Sequence, residues 1–186
     1  MDTLECIKTR RSIRRFTDQP IPDEVLNQVL EAVRWAPSWA NTQSWEIILV
    51  REKENIEKVA QLVPESNPAY KGLFQAPVIA VICAKLGLAG YKKSEQITEL
   101  GDWYMFDAGI AAEHLCLAAH ALGLGTVHVG TITSHKALDE LLGLPEDIKS
   151  VEIIPMGYPA KEGNAPPRRE ISDFVHSEKF GQKINL

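Results

Sequence analysis

The sequence predicts one domain of layered helices and strands, with a sheet buried between helices, on three observations. Pro77-Val78-Ile79-Ala80-Val81-Ile82-Cys83-Ala84 is apolar at every position, so a strand here needs cover on both faces. Trp103 to Leu122 is a long helical stretch rich in Ala and Gly, a composition that lets backbones approach closely. Val25, Leu26, Val29, Leu30 and Val33 form an amphipathic stripe between Pro22 and Pro37. A chain of 186 residues with 45% hydrophobic and 24% charged residues suits a single core. Such lengths bury roughly 70% of the unfolded chain's surface. No internal repeat, low-complexity tract or second-domain linker interrupts it.

In order, Leu4 and Ile7 suggest a short amphipathic first helix ending in a basic cluster. The next helix starts at Pro22, which suits a first turn, where Asp23 and Glu24 complement the positive end of the dipole; Pro37 stops it. Trp45–Val50 reads as a buried strand and Asn55–Val63 as a helix closed by Pro64. After the Pro77–Ala84 strand, Leu86–Gly101 reads as a loop or weak helix. Gly123 and Gly125 are expected to end the long helix, followed by a strand at Thr126–Val129, a helix near Ser134–Leu142 and a strand at Ser150–Pro155. The tail from Gly157 is irregular and rich in proline.

Composition excludes several classes of function. The longest apolar run falls far short of the ~20 residues that span a bilayer, and the acidic opening Met1–Glu5 is no signal peptide. Cys6, Cys83 and Cys116 are odd in number and lack CxxC spacing, which reads as free thiols in a reducing cytoplasm. No GxSxG or HExxH occurs. Glu113-His114 and His120 are the candidate metal ligands, but the histidines stand six apart and face nearly opposite sides of a helix, so no metal is expected. Gly123-Leu124-Gly125 follows a helix and opens a strand, the reverse of a dinucleotide fingerprint.

The most informative segment is Lys8-Thr9-Arg10-Arg11-Ser12-Ile13-Arg14-Arg15, five cations in eight positions of a chain with net charge −5. It has three readings: a solvated charged face, a nucleic-acid contact, or a phosphate site. Nucleic acid is disfavoured because the chain lacks a broad basic surface and interleaved aromatics. The Ser12 hydroxyl among arginine forks favours phosphate, and Arg168-Arg169 offers a second basic pair for the same dianion. Pro37-Ser38-Trp39-Ala40-Asn41-Thr42-Gln43 is either an ordinary polar connection or a ledge of hydroxyl and amide groups facing a heteroaromatic ring.

Together these pieces resemble the nitroreductase family of FMN-dependent oxidoreductases over nearly the whole chain. The carrying residues are Arg10 to Phe16, Pro20-Ile21-Pro22, Ala36-Pro37-Ser38 with Asn41, Gln43 and Trp45, and Ala76-Pro77. Further on they are Leu122 to Thr126 with Gly130, Gly157-Tyr158-Pro159 and Pro167-Arg168-Arg169. The resemblance implies an α+β, three-layer fold with a central mixed sheet flanked by helices. It implies an intertwined homodimer, residues 1–186 forming one FMN-binding domain whose C-terminal extension reaches the partner subunit. Bound FMN, NADH or NADPH as co-substrate, and ping-pong reduction of nitroaromatics, quinones or similar planar acceptors complete the expectation. Carried over by position, the cofactor set is Arg10, Arg11, Ser12 and Arg14, then Pro37, Ser38, Trp39 and Asn41 against the ring. Gly130 and Thr131 fall at the strand end facing it, and Arg168 and Arg169 at the C-terminal phosphate clamp. Ser44 stands where the family usually has proline, and Trp39 where a small polar residue is common.

The flavin carries the redox chemistry, so no catalytic side chain is expected. Arg14 is the expected stabiliser of charge on the reduced ring; a cation about 4 Å away contributes roughly 4 kcal/mol at an effective dielectric of about 20. Trp103 and Tyr104 are the expected substrate-pocket aromatics, core packing being their other role. The alternatives are a reductive dehalogenase or flavin-modifying relative on the same fold, or a flavin- or nucleic-acid-binding protein without turnover.

Overall fold

A computed structural model describes residues 1–184. The chain runs α1 (Thr3–Thr9), α2 (Asp23–Arg34), a 3-10 turn (Trp39–Asn41), β1 (Trp45–Val50), α3 (Lys53–Gln61), α4 (Tyr70–Leu73) and β2 (Val78–Lys85). It continues with β3 (Tyr91–Lys92), β4 (Glu95–Gln96), α5 (Tyr104–Ala121), β5 (Gly125–Thr126), α6 (His135–Leu142), β6 (Ile148–Gly157) and a 3-10 turn (Ile171–Asp173). Four strands form the central sheet in the order β1-β2-β6-β5, each neighbouring pair antiparallel. The basic segment adds a parallel bridge, Ser12 to Thr126, on the β5 side.

The fully apolar β2 strand lies mid-sheet and feeds both cores by simple alternation. Val78, Ala80, Ile82 and Ala84 pack with α2 and α5, whereas Ile79, Val81 and Cys83 pack with α3, α4 and α6. Burial pushes the Cys83 thiol up to about 12, as expected of a packing residue rather than a nucleophile. The result is three layers, helices over both faces of the sheet. No helix among the described residues is long and apolar enough to cross a membrane.

Several elements depart from expectation for identifiable reasons. β1 pairs only with β2, so as the outer strand it is mostly half-buried and exposes Glu46. Leu86–Gly101 contains the β3–β4 hairpin, whose two turn residues, Lys93 and Ser94, have φ of 49° and 66°. That is the primed-turn geometry usually signalled by Asn-Gly, which this sequence lacks. In α1 the side chain that faces the core is Cys6, whose thiol donates to the Leu117 carbonyl; Leu4 and Ile7 are exposed. Gly123 does end α5, with φ of 82° and the Leu124 amide reaching back to the Ala119 carbonyl. Gly125 instead belongs to β5, where a Cβ would meet Ile13 Cβ at 2.6 Å.

That contact seats the basic segment. Ile13, Phe16 and Ala76 form a small core of their own. The Ile13 amide donates to the Thr126 carbonyl, the Thr17 amide to Tyr158, and the Ala160 amide to Arg15. Gly125→Ala is therefore expected to overpack this junction and cost about 1–3 kcal/mol, read as a lower denaturation midpoint with an unchanged slope.

Candidate active site

Holding Arg10–Arg15 in extended, sheet-edge backbone turns its side chains into a pocket of about 490 Å³. The opposite wall is Lys161 to Pro166 and Arg168. Gly163 permits this approach, since a Cβ there would meet Arg11 Cβ at 2.6 Å. Six cations line the pocket and only one acid, Glu162. Arg10 Nε pairs with Glu113 Oε1 at 3.2 Å. Among the described residues Arg11, Arg14, Arg15 and Arg168 have no carboxylate partner; their guanidiniums reach only backbone carbonyls. The field reaches His120 in the neighbouring pocket, whose pKa is lowered by burial and then by Arg10 and Arg11. A concave set of unneutralised guanidiniums suits a phosphate ester, whose oxygens accept paired N–H donors.

The polar loop lines a second pocket of about 330 Å³, with Pro37 and Asn41 beside Arg34, Trp35, Ala36 and Gln43. Its backbone is unusual: Ala40, Asn41 and Gln43 have φ of 45°, 57° and 49°. Left-handed non-glycine residues cost of order 1–3 kcal/mol each unless their surroundings hold them. The holder here is Asp107 on α5, a fully buried carboxylate that sequence reading did not single out. Its Oδ1 accepts from the Trp39 amide at 2.9 Å, and its Oδ2 from the Ser44 and Thr42 hydroxyls at 3.2 and 3.4 Å. Ser44, where the family usually has proline, is thus a buried donor to the same carboxylate. Ser38 Oγ accepts from the Gln43 amide and closes the turn. The available signal for Asp107 was a lone acid in the apolar run Tyr104–Ala112.

The structure thus gathers Arg10, Arg11, Ser12, Arg14 and Arg168 on one pocket and places Pro37 and Asn41 on another. Arg169 does not line the first; its guanidinium donates to the Asp173 carbonyl and lies over the Phe174 ring. Gly130 and Thr131 are exposed and line neither pocket. Trp103 and Tyr104 are half-buried: Trp103 stands edge-on to Phe106, Tyr104 packs against the core, and Trp103 Nε1 is buried without a partner among the described residues.

A second missed feature lies behind Arg10. Its partner Glu113 also contacts His128 Nε2 at 3.3 Å, and His128 Nδ1 lies 3.0 Å from Glu152. Burial works against the Glu113 carboxylate, but the His128 hydrogen bond and the Arg10 charge overcome it and its pKa is lowered. His128 is raised to about 12, first by Cys116 and then by Glu113 and Glu152, so it is an imidazolium bridging two carboxylates. These contacts join residues 10, 113, 128 and 152, which no local spacing reveals.

Two outcomes follow from these anchors. Asp107→Ala orphans buried donors at about 1–3 kcal/mol apiece and is expected to lower stability more than Asp107→Asn, checked by chemical denaturation. Because the folded pKa of His128 is raised, its stabilisation is full below the ordinary value near 6.5 and is lost as pH rises toward about 12. The stability gap between the wild type and His128→Gln should therefore narrow as pH rises above about 6.5.

Comparison with known proteins accords with this geometry. The sequence model of the nitroreductase family matches residues 7–158. The FMN reductase [NAD(P)H] of Bacillus subtilis is 32% identical over 193 residues, covering 96% of this chain and 74% of that protein. The NADPH-flavin oxidoreductase of Vibrio harveyi is 32% identical over 187 residues, covering 100% of this chain and 77% of that protein. Among solved structures, an FMN-dependent nitroreductase from Clostridium difficile R20291 superposes with a TM-score of 0.79 at 30% identity, covering 95% of this chain and 99% of that one. With the family pattern spanning most of the chain and the same fold in that structure, this protein belongs to the nitroreductase family.

Proposed function

We propose that this protein is an FMN-dependent oxidoreductase that takes hydride from NADH or NADPH and reduces nitroaromatics, quinones or related planar acceptors in the cytoplasm. The observation that carries this reading is the pocket where Arg11, Arg14, Arg15 and Arg168 converge without carboxylate partners among the described residues, beside Arg10, which pairs with Glu113. Bound FMN would supply a ring that accepts hydride from the nicotinamide and passes electrons to the acceptor in a ping-pong cycle.

The residues present fit that cofactor. Ser12 and the guanidiniums around it offer hydroxyl and paired N–H donors to a terminal phosphate. Arg14 reaches only the Ser12 carbonyl, at 3.3 Å, and is available to stabilise negative charge on the reduced ring. Pro37, Ser38, Trp39 and Asn41 form the ledge for the ring, held by Asp107, with Gly130 and Thr131 presenting backbone groups and Arg169 adding positive potential to the clamp. Trp103 and Tyr104 stack planar acceptors.

A homodimer brings the two half-sites together. Within one chain the arginine pocket and the ledge are separate, so each site takes its ledge from a second copy. α1 and α5 leave Leu4, Ile7, Met105 and Phe106 exposed, apolar area suited to such an interface, and the tail carries exposed Ile171, Phe174 and Phe180 to reach the partner.

The purified protein is expected to be yellow, with a flavin spectrum that bleaches on anaerobic addition of NADH or NADPH and recovers with a quinone or nitroarene. A colourless protein that takes up no FMN would reject the reading; turnover of a halotyrosine instead would move it to reductive dehalogenation. Arg14→Ala is expected to lower the flavin midpoint potential. An unchanged potential in a variant that retains FMN removes that role from Arg14.

A further inference from the structure

Behind the arginine pocket, four side chains with metal-ligating chemistry join α5 to the sheet. Glu113 and Cys116 stand at i and i+3 on α5 and share a face, opposite His128 after β5 and Glu152 on β6. His128 Nε2 lies 3.4 Å from Cys116 Sγ and 3.3 Å from Glu113 Oε2. It is therefore shared between two partners. The nitrogen–oxygen separation is long for a charge-assisted hydrogen bond, normally about 2.7–2.9 Å. One ligand atom each from Glu113, Cys116 and His128 lies within 4.8 Å of the others.

The geometry points to a binding site for a divalent cation of the zinc class, with Glu113 Oε2, Cys116 Sγ and His128 Nε2 as ligands. Bonds of about 2.0–2.1 Å to nitrogen, 2.3 Å to sulfur and 2.0–2.2 Å to oxygen on a tetrahedron set ligand–ligand edges of about 3.4–3.6 Å. Both separations measured from Nε2 fall within about 0.2 Å of those edges. Independently of the ligand trio, Glu152 accepts from the other ring nitrogen, its two oxygens at 3.1 and 3.0 Å from Nδ1. A carboxylate behind the imidazole is the arrangement that fixes the tautomer and orientation of a metal-bound histidine. A thiolate ligand selects zinc over magnesium or calcium, and the fourth tetrahedral position is left to water.

The charges balance. Loading displaces the thiol proton of Cys116 and one proton of His128, and no electrons move. Glu113, Glu152 and the thiolate then exceed the Arg10 guanidinium by two negative charges, the charge of the ion. Cys116 is buried while Glu113 and His128 are partly exposed, which leaves an approach from solvent.

The test is a zinc titration of reduced, chelator-treated protein against a chromophoric competitor in mildly alkaline buffer, with X-ray absorption of the loaded sample. One ion per chain and one sulfur neighbour are expected. Cys116→Ala and His128→Gln should lose the site, while Glu152→Gln, which touches no ligand atom, should weaken it about 10–100-fold. Circular dichroism of each ion-free variant reports whether it is folded, and the zinc-induced rise in Tm should vanish with the ligands. Absence of binding at micromolar zinc, a sulfur-free coordination shell, or unchanged affinity in folded Cys116→Ala would overturn the assignment. Because the readout is zinc itself, the result stands apart from the flavin reading.

Discussion

The seating of residues 10–17 against the β5 edge of the sheet is the constraint on which the rest of the molecule's chemistry depends. Six cations around one small pocket repel one another, and in a free peptide they would spread into water. Here the backbone leaves them no such choice. Ile13 is pressed against Gly125, Phe16 against Gly157, and three amide–carbonyl bonds pin the segment between the strand and the chain after β6. Positive charge is thus held by apolar packing and main-chain hydrogen bonds, and the protein's unfavourable self-energy becomes the affinity available to an anion. A glycine-lined approach serves the same end on the opposite wall, where Gly163 lets Arg11 come close.

The helix α5 does for the polar loop what the sheet edge does for the arginines. A loop with three left-handed non-glycine residues would relax if left alone. Asp107 removes that freedom by accepting from positions 39, 42 and 44 together. A buried carboxylate is tolerated there because each of its oxygens is hydrogen-bonded, so the desolvation that burial imposes is met by donors that would otherwise be orphaned themselves. Farther along the same helix, Glu113 keeps Arg10 in place while His128, itself held by Glu152, holds Glu113.

What the sequence disclosed divides along physical lines. The β2 strand, α2 and α5 were legible because period, proline and glycine signals are local and agree with tertiary packing. The convergence of residues 10–15 with Arg168 was legible through charge type and family pattern together. The β3–β4 hairpin was hidden because Lys93 and Ser94 adopt a turn that glycine or asparagine normally marks. Gly125 was mistaken for punctuation because nothing in the local sequence shows that Ile13 comes to rest on it. Asp107 and the Glu113–His128–Glu152 chain were missed because their partners are between 15 and 68 residues away in sequence. Such side-chain networks carry no period. His114 and His120 lie on the same helix as Glu113 and Cys116, yet the imidazole that meets both comes from outside it.

One consequence lies in the six-residue interval between Asp107 and Glu113. On an α-helix that interval is a rise of about 9 Å and a rotation of about 240°, quantities set by the peptide bond rather than by side chains. The helix is therefore a gauge block between the loop's anchor and the arginine's anchor. Point changes along its surface leave the gauge intact, whereas gain or loss of a single residue inside the interval swings one anchor by about 100° relative to the other. Length variation among relatives should accumulate in the 86–101 segment and the tail, and be purged from this short stretch of α5.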